Sequence, residues 1–235
     1  MTQEKKNEIR KRALALPTGN LSDAMDHLGL TGFAVPDLHP LRFSQPPAAG
    51  FARTIQQRIK GNNCTGKGKV WQRQVINTLT DPGDLLVIDA CGCTRSSTGG
   101  GLLMLRAKVR GVQGLLTNGC LRDAADIAAM GFPVYCRGVS PVSSANCLET
   151  VGVDVPVVIG DVRICPGDLV VMDDSGCVVI PRDRIEEVLD LAEIVQKQEK
   201  TAEELLLLGE DFEIARSAGL REFPWPDEVG KKESK

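Results

Sequence analysis

Apolar and polar positions fall into short blocks along the chain, and the blocks between residues 85 and 136 predict alternating strands and helices. Apolar runs at 85–88, 112–117 and 132–136 have the length and the flanking turns of buried strands. Helical spacing covers 102–108, and a second helix is expected from just after Asp123 to about Gly131. This order places the strands parallel in one sheet, so we expect an α/β fold.

The flanking segments add helices and further strands to this layer. Before it, we expect a helix over 4–16, N-cap candidates within 20–25 with a short helix that ends at Gly29, a proline-rich loop over 36–47, and strands near 49–59 and 69–72. After it, we expect a hairpin over 153–164 that turns at Gly160, a strand at 178–180, and a helix over 182–208 that ends at Gly209. We therefore predict a single domain over 1–223 with N-terminal and C-terminal helical extensions, and an arm or disordered tail over 224–235.

One stretch of sequence occurs twice. Residues 82–89 (PGDLLVID) and residues 166–173 (PGDLVVMD) share a turn signal followed by an apolar run. Because two copies are too few for a repeat architecture, we interpret them as one turn-plus-buried-strand unit used twice.

Composition and charge narrow the class of protein. The 235 residues are 42% hydrophobic and 25% charged with a net charge of −3, which is an ordinary globular balance. No run of Lys and Arg favours nucleic acid or a membrane surface, and no apolar stretch approaches the ~18 residues of a spanning helix. The charged N-terminus shows no export signal, so we expect a cytoplasmic protein whose eight cysteines are mostly buried thiols. No second cysteine pair or nearby histidine completes a zinc site with Cys91-Gly92-Cys93. With only two histidines in the chain, catalytic triads and metal sites built on histidine are disfavoured.

Gly99-Gly100-Gly101 is the strongest backbone breaker in the chain and directly precedes the predicted helix at 102–108. A helix start offers free N–H groups and partial positive charge, and glycine lets a ligand approach the main chain closely. The triplet therefore predicts a seat for a carboxylate or phosphate. A purely structural glycine turn is the alternative.

Arg122 and Asp123 lie where a predicted strand ends and a helix begins, which is where α/β sheets bind their ligands. The Arg fork suits a carboxylate or ketone oxygen, and the Asp suits a hard divalent cation. The alternative is an Asp that caps its own helix beside a surface Arg.

A series of short segments forms an ordered pattern from about residue 16 to about residue 210. The pattern consists of 18–24 (TGNLSDA), 37–41, 50–54, Pro82-Gly83-Asp84, 99–103 (GGGLL), 107–114 (AKVRGVQG), 118–123 (NGCLRD), 133–138, 166–170 and Pro181-Arg182. Together these segments resemble the RraA-like / 4-hydroxy-4-methyl-2-oxoglutarate aldolase family. The resemblance is specific as a whole, although each segment is short.

The resemblance implies a β/β/α swivelling-domain fold with extra terminal helices, assembled as a homotrimer or a hexamer with sites between subunits. It implies a lyase that uses Mg²⁺ or Mn²⁺ to cleave 4-hydroxy-4-methyl-2-oxoglutarate or 4-carboxy-4-hydroxy-2-oxoadipate, releases pyruvate, and decarboxylates oxaloacetate. By the same likeness, Arg122 and Asp123 would be catalytic, and Asp123 would bind the metal. The carboxylate of the 2-oxo acid would lie on the backbone of Gly100, Gly101, Leu102 and Leu103.

Two further positions follow from the resemblance. A glutamate from a neighbouring subunit's C-terminal helix assists in this family, and Glu199 is the best match, with Glu193 second. Gly101, separated from Arg122 by twenty residues, stands where the family aldolases have an aspartate. The metal shell would thus lose one carboxylate, which Mg²⁺ tolerates because it keeps several waters. We expect weaker metal binding, and a changed substrate is an open alternative.

The expected chemistry is cleavage of the C3–C4 bond of a metal-chelated 2-oxo acid, with Arg122 donating to the oxyanion of the pyruvate enolate. A metal-bound water that passes its proton to Glu199 or Glu193 is the candidate base. No Schiff-base lysine is required, and we expect Lys108 on a solvated face.

Two rival functions stay open. Some RraA-like proteins are described as inhibitors of ribonuclease E, and Gly101 fits a member that has dropped catalysis. The scaffold could also serve another 2-oxo-acid enzyme, such as a decarboxylase or a tautomerase. The long segment beyond residue 181 resembles the aldolase branch of the family.

Three other positions carry residue types that could serve a functional site. Asp173-Asp174 precedes Ser175-Gly176, so we expect a hairpin turn rather than a metal pair. His39 is expected to be structural. Arg137 follows the next parallel strand and could reach the same cleft as Arg122.

Overall fold

Eight strands form the main sheet in the computed structural model of the protein, which describes residues 1–60 and 72–226. The helices are α1 (Gln3–Leu14), α2 (Thr18–His27), α3 (Gln72–Thr78), α4 (Gly101–Val109), α5 (Ala124–Ala129), α6 (Ile185–Leu207) and α7 (Phe212–Glu222). The strands are β1 (His39–Pro40), β2 (Ala48–Ile59), β3 (Asp84–Asp89), β4 (Ser97–Gly99), β5 (Leu115–Thr117), β6 (Cys120–Leu121), β7 (Val134–Cys136), β8 (Gly138–Val139), β9 (Leu148–Val153), β10 (Val157–Ile159), β11 (Val162–Ile164), β12 (Leu169–Met172) and β13 (Cys177–Ile180). No helix within the described ranges is long and apolar enough to cross a membrane.

The main sheet is parallel at its centre and antiparallel at its edges. Its order is β1-β7-β5-β3-β2-β12-β13, and β9 also pairs with β2. Strands β2, β3, β5 and β7 run parallel, whereas β1, β9, β12 and β13 are antiparallel to their neighbours. The predicted strand–helix alternation between residues 85 and 136 is therefore confirmed, because helical crossovers are what join parallel neighbours.

In strand β3, apolar residues do not alternate with polar ones, because both faces of the strand are buried. Leu86 and Ile88 belong to the buried cluster that includes Met104 of α4, whereas Leu85 and Val87 pack with the β10–β11 hairpin. Successive side chains of a strand point to opposite faces, and both faces of β3 are covered. A third cluster joins α1, α2 and α6 to the β12–β13 edge of the sheet.

The repeated PGD unit forms equivalent turns on the two strands that flank β2. Asp84 is 2% exposed and its carboxylate accepts the backbone N–H of Asp81 at 3.0 Å. Asp168 is 6% exposed and accepts the N–H of Cys165 at 2.7 Å. The glycines before these aspartates have φ angles of 95° and 88°, which favour glycine. The interpretation as one turn-plus-strand unit used twice is confirmed.

The N-terminus of α2 corrects one prediction. The helix begins at Thr18 after Pro17, not at an N-cap within 20–25. The N–H and hydroxyl of Thr18 both donate to the carboxylate of Asp173, at 2.8 Å each. A residue distant in sequence thus satisfies the free donor of the first turn, and no local signal marks it.

Other boundaries differ in detail. Strand β5 begins at Leu115 rather than 112, and β9 and α7 were not predicted as separate elements. Of the strand expected at 69–72, residues 69–71 lie outside the described residues, and Gln72 begins α3. Residues 227–235 of the expected tail also lie outside them, and the division into a domain and an arm stays a prediction.

The β10–β11 hairpin and the β12–β13 turn match expectation. Gly160 lies between β10 and β11 with a φ of 64°, as predicted. Asp173 is a turn residue, because its carboxylate also accepts the N–H of Ser175. His39 pairs with Cys136 in the antiparallel β1–β7 ladder, which agrees with a structural role.

Candidate functional site

Asp123 holds an unusual backbone position at the junction of β6 and α5. Its φ and ψ are 59° and 37°, in the left-handed region, where Asp is among the better tolerated non-glycine residues. Its carboxylate makes no capping bond to its own helix. Instead, Oδ2 accepts the backbone N–H of Gly101 at 2.9 Å. The alternative of a simple helix cap is therefore wrong: the carboxylate is directed to a different helix, α4.

The glycine triplet brings the backbone of α4 against this carboxylate. Strand β4 pairs in parallel with β6, and Gly100 then enters α4 in an extended conformation without a side-chain cap. A Cβ on Gly100 would lie 2.6 Å from Asp123 Oδ2 and 2.8 Å from Arg122 Nε. Only glycine lets both side chains pack this closely against the main chain.

Arg122 lies beside Asp123 at the same edge. Its N–H donates to Gly99 O at 3.1 Å, which fixes its backbone to β4, and its Nε is 3.7 Å from Asp123 Oδ2. Both side chains are more than two-fifths exposed. The guanidinium makes no hydrogen bond within the described part of the chain, so its fork can bind a ligand.

These groups line one cavity of about 470 Å³. Its wall includes, from the predicted site, Gly100, Leu102, Leu103, Arg122 and Asp123. Gly101 is buried and does not line the cavity, although its N–H donates to Asp123. The structure brings together the two segments that the sequence singled out, and the parallel β4–β6 pairing is the physical reason they meet.

Fewer backbone N–H groups at the start of α4 are free to bind an anion than the sequence suggested. The N–H of Gly101 is used by Asp123, and that of Leu103 donates to Gly100 O at 3.0 Å. Within the described residues, the N–H of Leu102 has no hydrogen-bond partner. The N–H of Leu102 and the guanidinium of Arg122 can therefore donate to an anion at the start of α4.

Sequence reasoning missed part of the cavity wall. Gln72, Arg73 and Asn77 of α3, Arg106 of α4, and Ser143 and Ser144 also line it. Arg106 follows Leu102 by four residues, and this helical spacing was the signal that could have found it. No comparable signal connects α3 to the glycine triplet.

Glu199 and Glu193 lie in the helical layer of the same protomer. Asn20 Nδ2 donates to Glu199 Oε2 at 2.7 Å, between α2 and α6. Glu193 accepts the Nε of Arg12 at 2.7 Å. Neither glutamate lines the cavity of its own protomer, so the family role predicted for them requires a neighbouring subunit.

Arg137 does not join Arg122 in the cavity wall. Its N–H donates to Gly119 O at 3.0 Å, and its Nη1 would lie 3.1 Å from a Cβ on Gly92. The side chain therefore lies against the 91–93 turn rather than in the cleft that the sequence allowed.

Two of the described cysteines near this edge, Cys120 and Cys136, have a raised pKa. Burial raises the pKa of Cys120, and it raises the pKa of Cys136 to about 11. Cys93 is buried as well, whereas Cys91 is exposed, and Cys64 lies outside the described residues. Among the described residues, no cysteine lines the cavity.

Asp123 supplies the only carboxylate of the cavity wall within the described residues, so a metal ion there would depend on it. Among the described residues, no group of three or more His, Cys, Asp and Glu could hold a metal ion. Asp123 offers one carboxylate: its Oδ2 accepts the N–H of Gly101, and its Oδ1 accepts no hydrogen bond from the described residues. Mg²⁺ often binds through one or two carboxylates together with waters and substrate oxygens. The residues therefore fit a Mg²⁺ or Mn²⁺ ion held jointly by Asp123 and an oxygen-rich ligand.

A Cβ on Gly101 would make only ordinary van der Waals contacts. It would lie 3.4 Å from Asp123 Cβ, 3.6 Å from Asp123 Oδ2 and 3.7 Å from Asp126 Cβ. A larger side chain at this position would project beside Asp123. The position thus has room for the family's first aspartate, and the chain leaves that space without a side chain.

Comparison with known proteins gives a consistent match. The family model described as RraA-like (Aldolase/RraA) matches residues 18–179. A relative from Halalkalibacterium halodurans, provisionally named 4-hydroxy-4-methyl-2-oxoglutarate aldolase, is 34% identical over 189 residues, which cover 80% of this chain and 83% of that protein.

Solved structures share the fold. A crystal structure of an uncharacterized protein from Pseudomonas syringae pv. tomato has a TM-score of 0.78 and 28% identity, over 89% of this chain and 97% of that one. RraAS2 of Streptomyces coelicolor, described as an unusual member of the RNase ES inhibitor RraA protein family, has a TM-score of 0.73 and 28% identity, over 82% and 94%. The expected fold class is confirmed.

Proposed function

Because the chain belongs to the RraA-like family, whose model matches residues 18–179, we propose that it is a divalent-metal-dependent lyase that cleaves a 4-hydroxy-2-oxo acid and releases pyruvate. One observation carries the proposal: Arg122, Asp123 and the first turn of α4 converge on a single cavity. The relative named as an aldolase supports the same class of reaction.

Substrate binding begins with the carboxylate of the 2-oxo acid. It accepts hydrogen bonds from Leu102 N–H and Arg122 at the positive end of α4, where Gly100 lets the side chains of Arg122 and Asp123 pack against the main chain. Gly101 and Leu103 contribute indirectly, because their N–H groups fix Asp123 and the first turn. Asp123 would hold Mg²⁺ or Mn²⁺, and the bound ion would supply Lewis-acid stabilisation of negative charge on the 2-oxo group.

Carbon–carbon cleavage moves negative charge from the 4-hydroxyl oxygen to the enolate oxygen at C2. As the proton leaves the 4-hydroxyl, that oxygen forms a carbonyl with C4, and the C3–C4 bond breaks. Its electron pair becomes the enolate of pyruvate, whose oxygen at C2 accepts a hydrogen bond from Arg122. Protonation at C3 then gives pyruvate. Loss of CO₂ from oxaloacetate leaves the same enolate, so we expect oxaloacetate decarboxylase activity from the same groups.

The base is proposed to come from a neighbouring subunit. Glu199 is the first candidate and Glu193 the second, and both lie away from the cavity of their own protomer. The proposal therefore includes a homotrimer or hexamer with sites between subunits. It also includes a cytoplasmic location and no nucleic-acid or membrane partner, in keeping with the charge and composition.

The decisive experiment measures pyruvate release from oxaloacetate and from 4-hydroxy-4-methyl-2-oxoglutarate with Mg²⁺ or Mn²⁺, and again with EDTA. Asp123→Asn is the key variant, since Asn tolerates the left-handed backbone but lacks the charge. Asp126→Asn removes an exposed carboxylate from the first turn of the same helix and serves as control. Turnover that depends on metal and on Asp123 supports the lyase; turnover that survives EDTA and Asp123→Asn contradicts it.

A second candidate is a non-enzymatic regulator that binds a protein such as a ribonuclease. Gly101, which leaves Asp123 as the single carboxylate of the cavity wall among the described residues, and the likeness to RraAS2 favour it. A folded oligomer that neither turns over these substrates nor binds Mn²⁺ would support this candidate. Turnover of a different 2-oxo acid would instead indicate a decarboxylase or tautomerase on the same scaffold.

A further inference from the structure

A buried asparagine of α2 holds the side chain of Glu199. Asn20 Nδ2 donates to Glu199 Oε2 at 2.7 Å, and Asn20 is 3% exposed whereas Glu199 is exposed. We propose that Asn20 is a positioning residue, which fixes the Glu199 carboxylate in the orientation that accepts a proton in the cavity of a neighbouring subunit. This inference rests on the proposed function, because it takes Glu199 to be the base of the carbon–carbon cleavage.

Asn20 is a polar residue in an apolar contact between two helices. Leu21 and Met25 of α2 are buried in one cluster with Val188 and Leu191 of α6. A buried polar side chain costs free energy unless it is hydrogen-bonded, so an apolar residue would fill this position at less cost. The amide of Asn20 instead has its partner in a carboxylate at the surface. What this bond adds beyond packing is the orientation of that carboxylate.

The start of α2 gives Asn20 a fixed place. Thr18, two residues earlier, donates its N–H and its hydroxyl to the carboxylate of Asp173, at 2.8 Å each. Asp173 lies between β12 and β13, so the first turn of α2 is attached to the main sheet. A glutamate at a protein surface samples several rotamers, and a bond to a fixed donor selects one of them. The sheet therefore restrains Glu199 through α2 and Asn20.

The contacts of the two candidate glutamates differ in kind. Glu193 accepts the Nε of Arg12 at 2.7 Å in an ion pair, and Arg12 also pairs with two further acidic residues of α6. This set joins α1 to α6, which gives Glu193 a structural role. Glu199 has a neutral partner, and within the described ranges it forms no ion pair and its Oε1 accepts no hydrogen bond. Because a base needs an oxygen that is free to take a proton, these contacts favour Glu199.

Other contacts hold α6 in place without Asn20. Gln196 Nε2 donates to Ala15 O at 2.8 Å, which ties α6 to the end of α1. Gln198 Nε2 donates to Phe223 O at 2.6 Å, which ties α6 to the end of α7. Loss of the Asn20 amide should therefore leave the helical layer assembled. The variant Asn20→Ala thus changes the position of one carboxylate and little else.

Two reactions expected of the same cavity differ in their need for a base. Cleavage of a 4-hydroxy-2-oxo acid removes the proton of the 4-hydroxyl as the C3–C4 bond breaks, and the base receives that proton. Oxaloacetate loses CO₂ from a carboxylate that is already ionised, and the electron pair of the broken bond forms the same enolate. No proton leaves the substrate in that step. A residue that positions the base is therefore needed for the first reaction and not for the second.

The test measures both reactions in the full chain with Mg²⁺. Asn20→Ala should lower kcat for 4-hydroxy-4-methyl-2-oxoglutarate about tenfold or more, the scale of a hydrogen bond to a charged group, and leave KM within about twofold. Its oxaloacetate decarboxylation, its melting midpoint and its Mn²⁺ affinity should equal those of wild type. When Glu199→Gln has already removed the base, adding Asn20→Ala should cause no further loss, because residues that act through one step are not additive.

Gln196→Ala is the matched control, since it removes an amide from α6 one turn before Glu199 and breaks a bond to another helix. Both reactions should keep their wild-type rates in this variant. An Asn20→Ala protein that is slowed equally in both reactions would reveal a purely structural role, and one slowed in neither would show that the base needs no such support. Either result overturns the inference and leaves the lyase proposal standing. Wild-type protein that cleaves no 4-hydroxy-2-oxo acid would overturn both.

Discussion

The backbone N–H of Gly101 donates to Asp123 Oδ2 at 2.9 Å, which joins the start of α4 to the start of α5. This single bond ties the glycine triplet to the Arg-Asp pair. It also explains why Asp123 adopts a left-handed backbone and leaves its own helix without a side-chain cap. The two motifs are thus one site, although twenty residues separate Gly101 from Arg122.

Gly101→Asp should strengthen metal binding. A Cβ there meets nothing closer than 3.4 Å, and the new carboxylate would lie in the first turn of α4, beside Asp123. Because the number of charged ligands sets cation affinity, the Mn²⁺ dissociation constant should fall about tenfold. Titration followed by electron paramagnetic resonance measures it. Gly19→Asp, at an exposed position with open space, is the control, and equal affinity in both variants would show that position 101 lies away from the metal.

Gly100→Ala should lower activity strongly without unfolding the protein. The added methyl group would lie 2.6 Å from Asp123 Oδ2 and 2.8 Å from Arg122 Nε, so both side chains must move. A displacement of about 1 Å at a catalytic group can cost about 100-fold in rate. Pyruvate release should fall by that order, while the melting midpoint changes little. Gly19→Ala should leave both unchanged, and a fully active Gly100→Ala would contradict the tight packing.

Tyr135 should ionise only at high pH in the native state. It is the one tyrosine of the chain, it is 2% exposed, and its hydroxyl donates to Asp173 O. Burial, aided by the charge of Asp173, raises its pKa from 10.0 to about 12. The folded pKa exceeds the unfolded one, so its contribution to the free energy of unfolding is complete below pH 10 and is lost as pH rises towards 12.

Ultraviolet absorbance of the phenolate reports this titration for Tyr135 alone. The native protein should titrate near 12 and the denatured chain near 10. A native midpoint near the denatured one would show that the phenol is open to solvent.

Gly219→Ala should loosen α7 from α6. A Cβ on Gly219 would lie 2.3 Å from the backbone oxygen of Gln198, which cannot move as a side-chain end can. Overpacking of this kind costs about 1–3 kcal/mol, so the melting midpoint in thermal denaturation should fall. Gly176→Ala, where a Cβ meets nothing within 4 Å, is the matched control. An unchanged midpoint in both would indicate that the helices separate without cost.

Part of the site could be read from the sequence because its signals are local. A glycine triplet before a helical segment and an Arg-Asp pair after a strand need only neighbouring residues to be recognised. The part of the cavity wall that comes from segments distant in sequence carried no such local signal. Asn77 and Arg106 meet through packing of α3 on α4, and Glu199 bonds to Asn20 across 179 positions.

The sequence by itself determined the parallel α/β layer, the paired PGD turns and the two halves of the candidate site, since apolar periodicity and backbone breakers act over a few residues. Tertiary structure alone decided which groups share the cavity. It placed Asp173 at the start of α2, directed Asp123 to Gly101, and set Arg106 beside Asn77. Hydrogen bonds and packing between distant segments depend on how the sheet brings those segments together. No local sequence pattern encodes which distant residues become neighbours.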